Sequence, residues 1–442
     1  LDGSKAIGIT FTDKPVTAFG GLALFVAFAQ RIDLGPKLAE VLPFVLTSPS
    51  ATPPHHIVLA FLAGVLAGAR RFAQLAVLQA DVPVRQLFGL KRFPSTATVT
   101  RFFRRFTPKA ITATFEPLWT WCLDPLPTQP TGYTLDLDSS VFARYGSQEG
   151  ALKGYNPRKR GRPPHHPLFA VLAEARCIAH VWLHSGNTAS ARGAIAFLAE
   201  VLALVAGRVQ VTLVRADSGF FDEAILTALE AAALPYAVAA RFTSLLQAGV
   251  SGLTFRPFAP GLEVAELLFQ VRRWTRARRI VVVREELAVR PAARGRELFQ
   301  VPGYRFHAVV TTPATPPEEI WRTANGRADC ENRIKELKHA FGADGFCSRR
   351  FSGTEAAVQF ICLLYNLVGE FQRSLGHVTL RTLATLRTTL FACGAILGAD
   401  GRQPMLRLSR AKPWQATFLA YLQRLLPTPA TCNAVLATEV NV

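Results

Sequence analysis

The sequence lacks the marks of several large functional classes. Its seven cysteines (Cys122, Cys177, Cys330, Cys347, Cys362, Cys393 and Cys432) include no C-x-x-C pair, which speaks against a structural zinc site. No secretory signal accompanies them, so reduced thiols in a cytoplasmic protein are expected. There is no G-x-x-x-x-G-K-[ST] loop and no credible dinucleotide fingerprint, which excludes the usual phosphate cradles. No Ser/His/Asp arrangement stands out, and lone histidines such as His165 and His166 read as loop or core residues. The longest apolar runs, 20–29 and 57–69, fall short of the roughly 18 residues a membrane span needs. Internal repeats and low-complexity tracts are absent. The chain begins at Leu1 rather than methionine, so a trimmed start is expected. Acidic residues are few, with 31 Asp+Glu against 50 Lys+Arg.

That imbalance, a formal net charge of +19, points to a polyanionic partner, because phosphate binding releases condensed counterions. At 442 residues, half of them hydrophobic, the chain is long enough for two or three domains with a sizeable core.

Residues 1–125 read mostly as helix, with apolar residues at helical spacing over 22–32, 38–41, 57–78 and 84–88. Ser95 or Thr96 is placed to cap a helix over 99–106 that carries Arg101, Arg104 and Arg105 beside Phe102, Phe103 and Phe106. Such a helix suits DNA contact in the helix-turn-helix manner, or packing with solvated arginines. From Tyr133 the pattern alternates with period two, placing Asp136 and Asp138 on one strand face and Leu135 and Leu137 on the other. Two carboxylates on one face are costly unless water or a metal attends them.

The next stretch, 146–167, contains Arg158-Lys159-Arg160-Gly161-Arg162-Pro163-Pro164. It reads as a basic hairpin loop or as an AT-hook-like minor-groove element, and both set cations against phosphate. Strands are expected over 168–173 and 176–183 and a helix over 189–206. A strand over 209–214 then leads to Asp217, with a helix from Asp222. A carboxylate at the carboxyl end of a strand lies at the crevice of an α/β sheet; it equally suits an N-cap. Beyond Ala240, strands are expected over 262–269, 270–274, 278–284, 298–300 and 304–311. Trp274, among arginines, could stack on an unpaired base or be buried. Residues 354–442 read as helical again.

The stretch 326–341 remains. At about 100° per residue, Cys330, Ile334, Leu337 and Phe341 form an apolar stripe, with Arg327, Glu331, Lys335 and Lys338 on the adjoining face. Alone this is a surface helix with i,i+4 charge pairs. Taken with Asp138 and Asp217, Glu331 completes three carboxylates without cysteine or histidine partners, a donor set for a hard ion such as Mg²⁺ or Mn²⁺. Two such ions about 4 Å apart serve phosphodiester cleavage. A glycosidase pair suits the charge poorly.

Several motifs in order resemble the bacterial insertion-sequence transposases of the DDE type, most closely the family numbered 1380, related to the insertion-sequence 4 group. They are L-D-L-D-S-S at Asp138, G-Y-N-P-R-K-R-G-R-P-P-H-H-P-L, and V-R-A-D-S-G-F at Asp217. The Y-x2-R-x3-E-x6-K signature follows, its Arg, Glu and Lys matching Arg327, Glu331 and Lys338. The signature's Tyr is Ala324 here, with Trp321 one turn earlier as a substitute. Asp138 is preferred to Asp136 because Ser139 and Ser140 follow it.

The resemblance implies an α/β protein with an RNase H-like core, a mixed five-stranded sheet with helices, interrupted by a β-rich insertion and flanked by helical N- and C-terminal regions. The expected segments are a DNA-binding region 1–125, core parts 126–240 and 316–375, the insertion 241–315, and a C-terminal region 376–442. It further implies Asp138, Asp217 and Glu331 as catalytic metal ligands for two Mg²⁺ or Mn²⁺ ions. Arg327, Lys338, Arg158, Lys159, Arg160, Arg162, Trp274, Arg101, Arg104 and Arg105 are the expected DNA contacts. The implied activity is cleavage at terminal inverted repeats and joining of the 3′ ends to target DNA, by a homodimer in the bacterial cytoplasm at the nucleoid. Trp274 would stabilise a flipped base if the second strand left through a hairpin. The rivals are a nuclease that cuts without joining and an inactive DNA-binding protein.

Overall fold

The computed structural model describes residues 9–46, 48–156, 159–188, 191–287, 303–410 and 414–426. The fold is mixed α/β, with one large mixed sheet and many helices. The chain divides into two units, one of 106–339 with 347–367 and the other of 1–105 with 340–346 and 368–442.

The first of these units is built on a nine-stranded sheet. Its strands, in chain order, are β1 Tyr133–Ser139, β2 Leu168–Leu172, β3 Cys177–Trp182, β4 Val211–Ala216, β5 Tyr236–Ala239, β6 Arg256–Ala259, β7 Leu262–Phe269, β8 Arg278–Glu286 and β9 Tyr304–Thr311. Across the sheet they run β3-β2-β1-β4-β5-β9-β8-β7-β6. Strands β1, β4 and β5 are parallel neighbours, as helical crossovers require; the other pairings are antiparallel. The helices are α1 Pro108–Leu123, α2 Ala194–Val205, α3 Glu223–Ala231, α4 Ser244–Ser251, α5 Pro317–Asn325, α6 Ala328–His339 and α7 Phe351–Ser374, of which residues 351–367 belong to this unit.

The alternation along β1 sorts its side chains. Leu135 and Leu137 join Val214, Ala216 and the apolar faces of α2 (Phe197, Val201), α3 (Ile225, Leu229) and α4 (Leu246, Val250) in one core. On the opposite face Ile320 of α5 packs on Val264, Val281 and Val309. The β-rich stretch adds to the edge of the earlier strands: β9 pairs with β5 through Val309–Ala239 and Thr311–Ala237. An ion pair ties the same stretch to α3, where Glu230 accepts from Arg278 Nε and Nη2 at 2.8 and 2.9 Å and Glu223 binds Nη1. At the other end of the sheet, Asn366 of α7 takes both the N–H and the carbonyl of Ile178 in β3 at 2.8 Å, covering an edge that would otherwise offer itself to another strand.

Several expectations need correction. Residues 270–274 are a turn between β7 and β8 and not a strand, because Trp274 N–H closes back on the Val271 carbonyl at 2.8 Å. The strand expected over 298–300 lies outside the described residues. The helix expected over 57–78 is an α-helix, Pro54–Ala67, and a 3₁₀ helix, Phe72–Leu78, bent by 87°; the break is at Gly68, whose φ of 112° no helix accommodates. Helix α7 is long and apolar enough to cross a membrane, which a count of unbroken apolar runs misses, but it is buried as a core helix is.

The second unit has helices Leu22–Arg31, Leu34–Val41, Pro54–Ala67, Val82–Leu87, Thr96–Phe103 and Trp414–Leu425. Phe61 packs edge-on to Phe103 and Phe346 at its centre. The stretch after 376 is not all helix: Ala395–Asp400 and Gln403–Leu408 form a hairpin, with Val16–Thr17 added on the Ala395–Asp400 side. Asp400-Gly401, with Gly401 at φ 57°, is the turn signal that the apolar residues around it concealed.

Candidate active site

Strands β1 and β4 are parallel and in register at Asp136–Arg215 and Leu137–Ala216, so they deliver Asp138 and Asp217 to the same end of the sheet. One oxygen of each carboxylate is held by backbone. Ser139 N–H donates to Asp138 Oδ1 at 2.7 Å, and Gly219 N–H donates to Asp217 Oδ1 at 2.9 Å. Asp217 therefore also caps the short 3₁₀ turn Ser218–Phe220; the N-cap and crevice readings of this residue are both satisfied.

Helix α6 brings the third carboxylate. Cys330, Ile334 and Leu337 are buried as the stripe requires, while Phe341 lies past the helix end. Arg327, immediately before α6, stands between the carboxylates: Nη1 is 3.3 Å from Asp138 Oδ2 and Nη2 is 2.5 Å from Glu331 Oε1. Glu331 is the most open of them, its side chain 58% exposed against 8% for Asp138.

Burial pushes the Asp138 carboxyl up to about 7; Arg327 and the Ser139 N–H oppose the rise, and Asp217 and Glu331 add to it. Burial likewise raises Asp217, against Arg327, the Gly219 N–H and Arg241. For Arg327 burial works downward, but Asp138, Glu331 and Asp217 hold its pKa above the usual arginine value. Burial raises the Cys330 thiol far out of the reactive range. Asp138, Asp217, Glu331 and Arg327 thus form one electrostatic cluster.

Among the described residues no three groups close into a ready-made metal cage. The donor chemistry nonetheless fits a hard divalent cation. The site holds carboxylate oxygens only, and the buried one is short of compensating positive charge.

Asp136, one pleat earlier, is differently occupied. Arg215 of β4 grips it with Nε at 2.6 Å and Nη2 at 2.8 Å and spends Nη1 on the Thr323 carbonyl of α5 at 2.8 Å. Burial raises the Asp136 carboxyl too, with the Arg215 hydrogen bonds and charge opposing the rise. The two-pronged contact has the fork geometry of a charged pair, and it leaves Asp138 as the carboxylate facing Asp217 and Glu331.

Other expected contacts scatter. Lys338 Nζ donates to the Val141 carbonyl at 3.0 Å and lies 3.4 Å from Ser140 Oγ, just after Asp138. The basic stretch is the loop of a short hairpin, Phe142–Ala143 with Pro164–His165; Lys159 and Arg162 pack over the exposed Tyr145 ring at 4.8 and 4.9 Å, and Arg160 is exposed. Arg158 lies outside the described residues. Trp274 is buried between Phe221 and Phe269 with Arg278 over its ring. Its surfaces are taken by core neighbours, the arrangement of the buried reading of this residue. Trp321 packs against His307 at 5.0 Å. Arg101, Arg104 and Arg105 are exposed on and after Thr96–Phe103, where Ser95 Oγ accepts the capping bond from Thr98 N–H at 3.1 Å. These three belong to the other unit.

Two residues the sequence reading passed over belong to this region. Arg215 sits in the V-R-A-D-S-G-F motif itself, two residues before Asp217. Arg241 donates to the Phe221 carbonyl at 2.9 Å, and its charge reaches Asp217; its position just past a strand end was its one visible signal.

The family described as Transposase DDE domain group 1 matches residues 1–430. None of the curated proteins matches the chain. Among solved structures, the chain is similar to a piggyBac transposase synaptic complex with hairpin DNA seen by cryo-electron microscopy, at 11% identity over 97% of this chain and 89% of that one, with a TM-score of 0.45. At that identity and score the likeness carries nothing on function. The family match runs over nearly the whole length, and on that ground the chain belongs to the Transposase DDE domain group 1 family.

Proposed function

We propose that the protein is an insertion-sequence transposase of the 1380 type that cleaves DNA at terminal inverted repeats and joins the 3′ ends to target DNA. The observation that carries this reading is the meeting of Asp138 and Asp217, from adjacent parallel strands, with Glu331 through Arg327. In this reading β1 to β5 with their helices are an RNase H-like core, β6 to β9 the insertion, and residues 1–125 the DNA-binding region. Asp138, Asp217 and Glu331 would hold Mg²⁺ or Mn²⁺, two ions in the full site, and the enzyme would act as a homodimer on DNA at the nucleoid.

Bound divalent ions would activate a water and stabilise the leaving oxygen. The chain's own groups do the rest. The N–H groups of Ser139 and Gly219 fix one oxygen of each aspartate, and the other oxygen of Asp138 meets Arg327. Arg327 balances the carboxylates and is placed to hold a non-bridging phosphate oxygen. Lys338 steadies the Ser140–Val141 backbone beside Asp138 and puts a second cation near the scissile strand. The loop cations Lys159, Arg160 and Arg162 track phosphates further along.

The test is incubation of purified protein with a labelled terminal repeat, a target plasmid and Mg²⁺. Joined product is the expected result. Cut product alone would make the protein a nuclease of the same fold, and a bound but intact end a DNA-binding protein without the chemistry.

A further inference from the structure

We infer that Arg215 is a positioning residue for the site, acting through the start of α6; the inference rests on the reading of Asp138, Asp217 and Glu331 given above. The guanidinium makes three hydrogen bonds to two partners. Two of its N–H groups hold Asp136 in β1, and the third holds the Thr323 carbonyl in the last turn of α5. Both partners of the ion pair are buried, with 8% and 1% of their side chains exposed. A buried pair of this kind contributes little net stability over an apolar replacement, and its best-attested use is to fix register. Here the register it fixes is that of a helix end on a strand. Thr323 is four residues before Arg327, and backbone bonds carry the turn onward: Arg327 N–H to the Ala324 carbonyl, Asp329 N–H to Gly326 and Cys330 N–H to Arg327, at 3.1, 3.2 and 2.9 Å. The side chains of Arg327 and Glu331 therefore leave from a point tied to the strand that carries Asp138.

Gly326 is the independent sign of the same device. Its backbone has φ −56° and ψ −18°, ordinary helical values at which alanine is favoured over glycine. The nearest atom a Cβ there would meet is Arg215 Nη1, well inside contact distance, with the Thr323 oxygen at 3.2 Å. The position is glycine because the guanidinium lies against it.

The test compares Gly326→Ala, Arg215→Lys and the double variant for end binding, cleavage rate, melting temperature and Mn²⁺ affinity by electron paramagnetic resonance. In Gly326→Ala the methyl displaces Nη1 from Thr323. Cleavage and Mn²⁺ affinity should fall by about 10- to 100-fold, as for other groups that orient metal ligands, while the end dissociation constant holds. The lysine of Arg215→Lys cannot span Asp136 and Thr323 together and should give a loss of the same kind. It also leaves room for the methyl, so the double variant should be no worse than the poorer single, the non-additivity of two changes to one contact. Wild-type rate and Mn²⁺ affinity in Gly326→Ala would overturn the inference. So would additive losses, or a fall in end binding and melting temperature that tracks the fall in rate. If Arg215→Lys does not fold, Gly326→Ala decides alone, since its backbone conformation suits alanine. Glu331→Ala separates the two levels: if it is inactive beside a normal Gly326→Ala, only the positioning role falls. A normally cleaving Glu331→Ala removes the reading of the site and the inference with it.

Discussion

Asp136 and Asp138 lie two residues apart on one face of one strand, and each faces an arginine, yet the two pairs are built to opposite ends. Asp136 receives a two-pronged, buried guanidinium that has a further backbone partner. Asp138 receives a single contact at 3.3 Å from an arginine it shares with Glu331, and burial, with Asp217 and Glu331 adding to it, pushes its carboxyl up to about 7. A saturated ion pair is architecture. An under-compensated one, opening toward two more carboxylates, is a place for something to bind.

The largest test of the contrast is alanine at each position. Asp138→Ala, Asp217→Ala and Glu331→Ala should each lose cleavage by about a thousandfold or more, the several kcal/mol of transition-state stabilisation that metal ligands supply, with end binding retained in a mobility-shift assay. Asp136→Ala should instead lose stability, about 3–5 kcal/mol in urea unfolding, because it strands Arg215 in the interior. A stable, inactive Asp136→Ala beside an active Asp138→Ala would invert the assignment.

Acidity gives the next test. Because the folded pKa of Asp138 lies above its ordinary value of 3.8, the folded protein binds this proton more tightly than the unfolded chain does. Its contribution to stability is complete below about pH 4 and is lost as pH rises through about 7, a span of up to about 4 kcal/mol. In EDTA, wild type should therefore lose stability from pH 4 to pH 8 relative to Asp138→Asn. Mg²⁺ should restore wild type at pH 8, by about 2.7 kcal/mol at a hundred times its dissociation constant, and leave the Asn variant unmoved. Equal pH profiles for the two proteins would show that Asp138 is already compensated by its surroundings.

Part of this contrast was legible in the sequence and part was not. Period two sufficed to put both aspartates opposite Leu135 and Leu137, because strand geometry depends only on alternation. Helical spacing sufficed for the Cys330, Ile334 and Leu337 stripe. Which aspartate meets which arginine depends on the register of β1 against β4 and on where α5 ends, and no local pattern encodes either. Trp274 had two readings for a related reason: its flanking arginines fit exposure as well as burial, and it is the inward pull of Glu223 and Glu230 on Arg278, invisible to local pattern, that sets the tryptophan's environment. The hairpin over Ala395–Asp400 and Gln403–Leu408 was masked by apolar residues whose period is ambiguous over so short a run.

The smallest expected effect is at Arg327, and it bears directly on the comparison. If Arg327 were to Asp138 what Arg215 is to Asp136, its removal would be as damaging as breaking the buried pair, and no metal would mend it. Its bonds are fewer, and one partner, Glu331, is more than half exposed; screening by water limits what that arm contributes. Arg327→Gln should thus cost about 1–2 kcal/mol in EDTA at pH 8, the scale of one charge-assisted hydrogen bond in a partly solvated setting. Mg²⁺ should recover most of that loss, since the carboxylates it uncovers are those a divalent cation would take. A loss that persists at saturating Mg²⁺ would place Arg327 with Arg215 among the structural arginines, and the two pairs would differ in degree only.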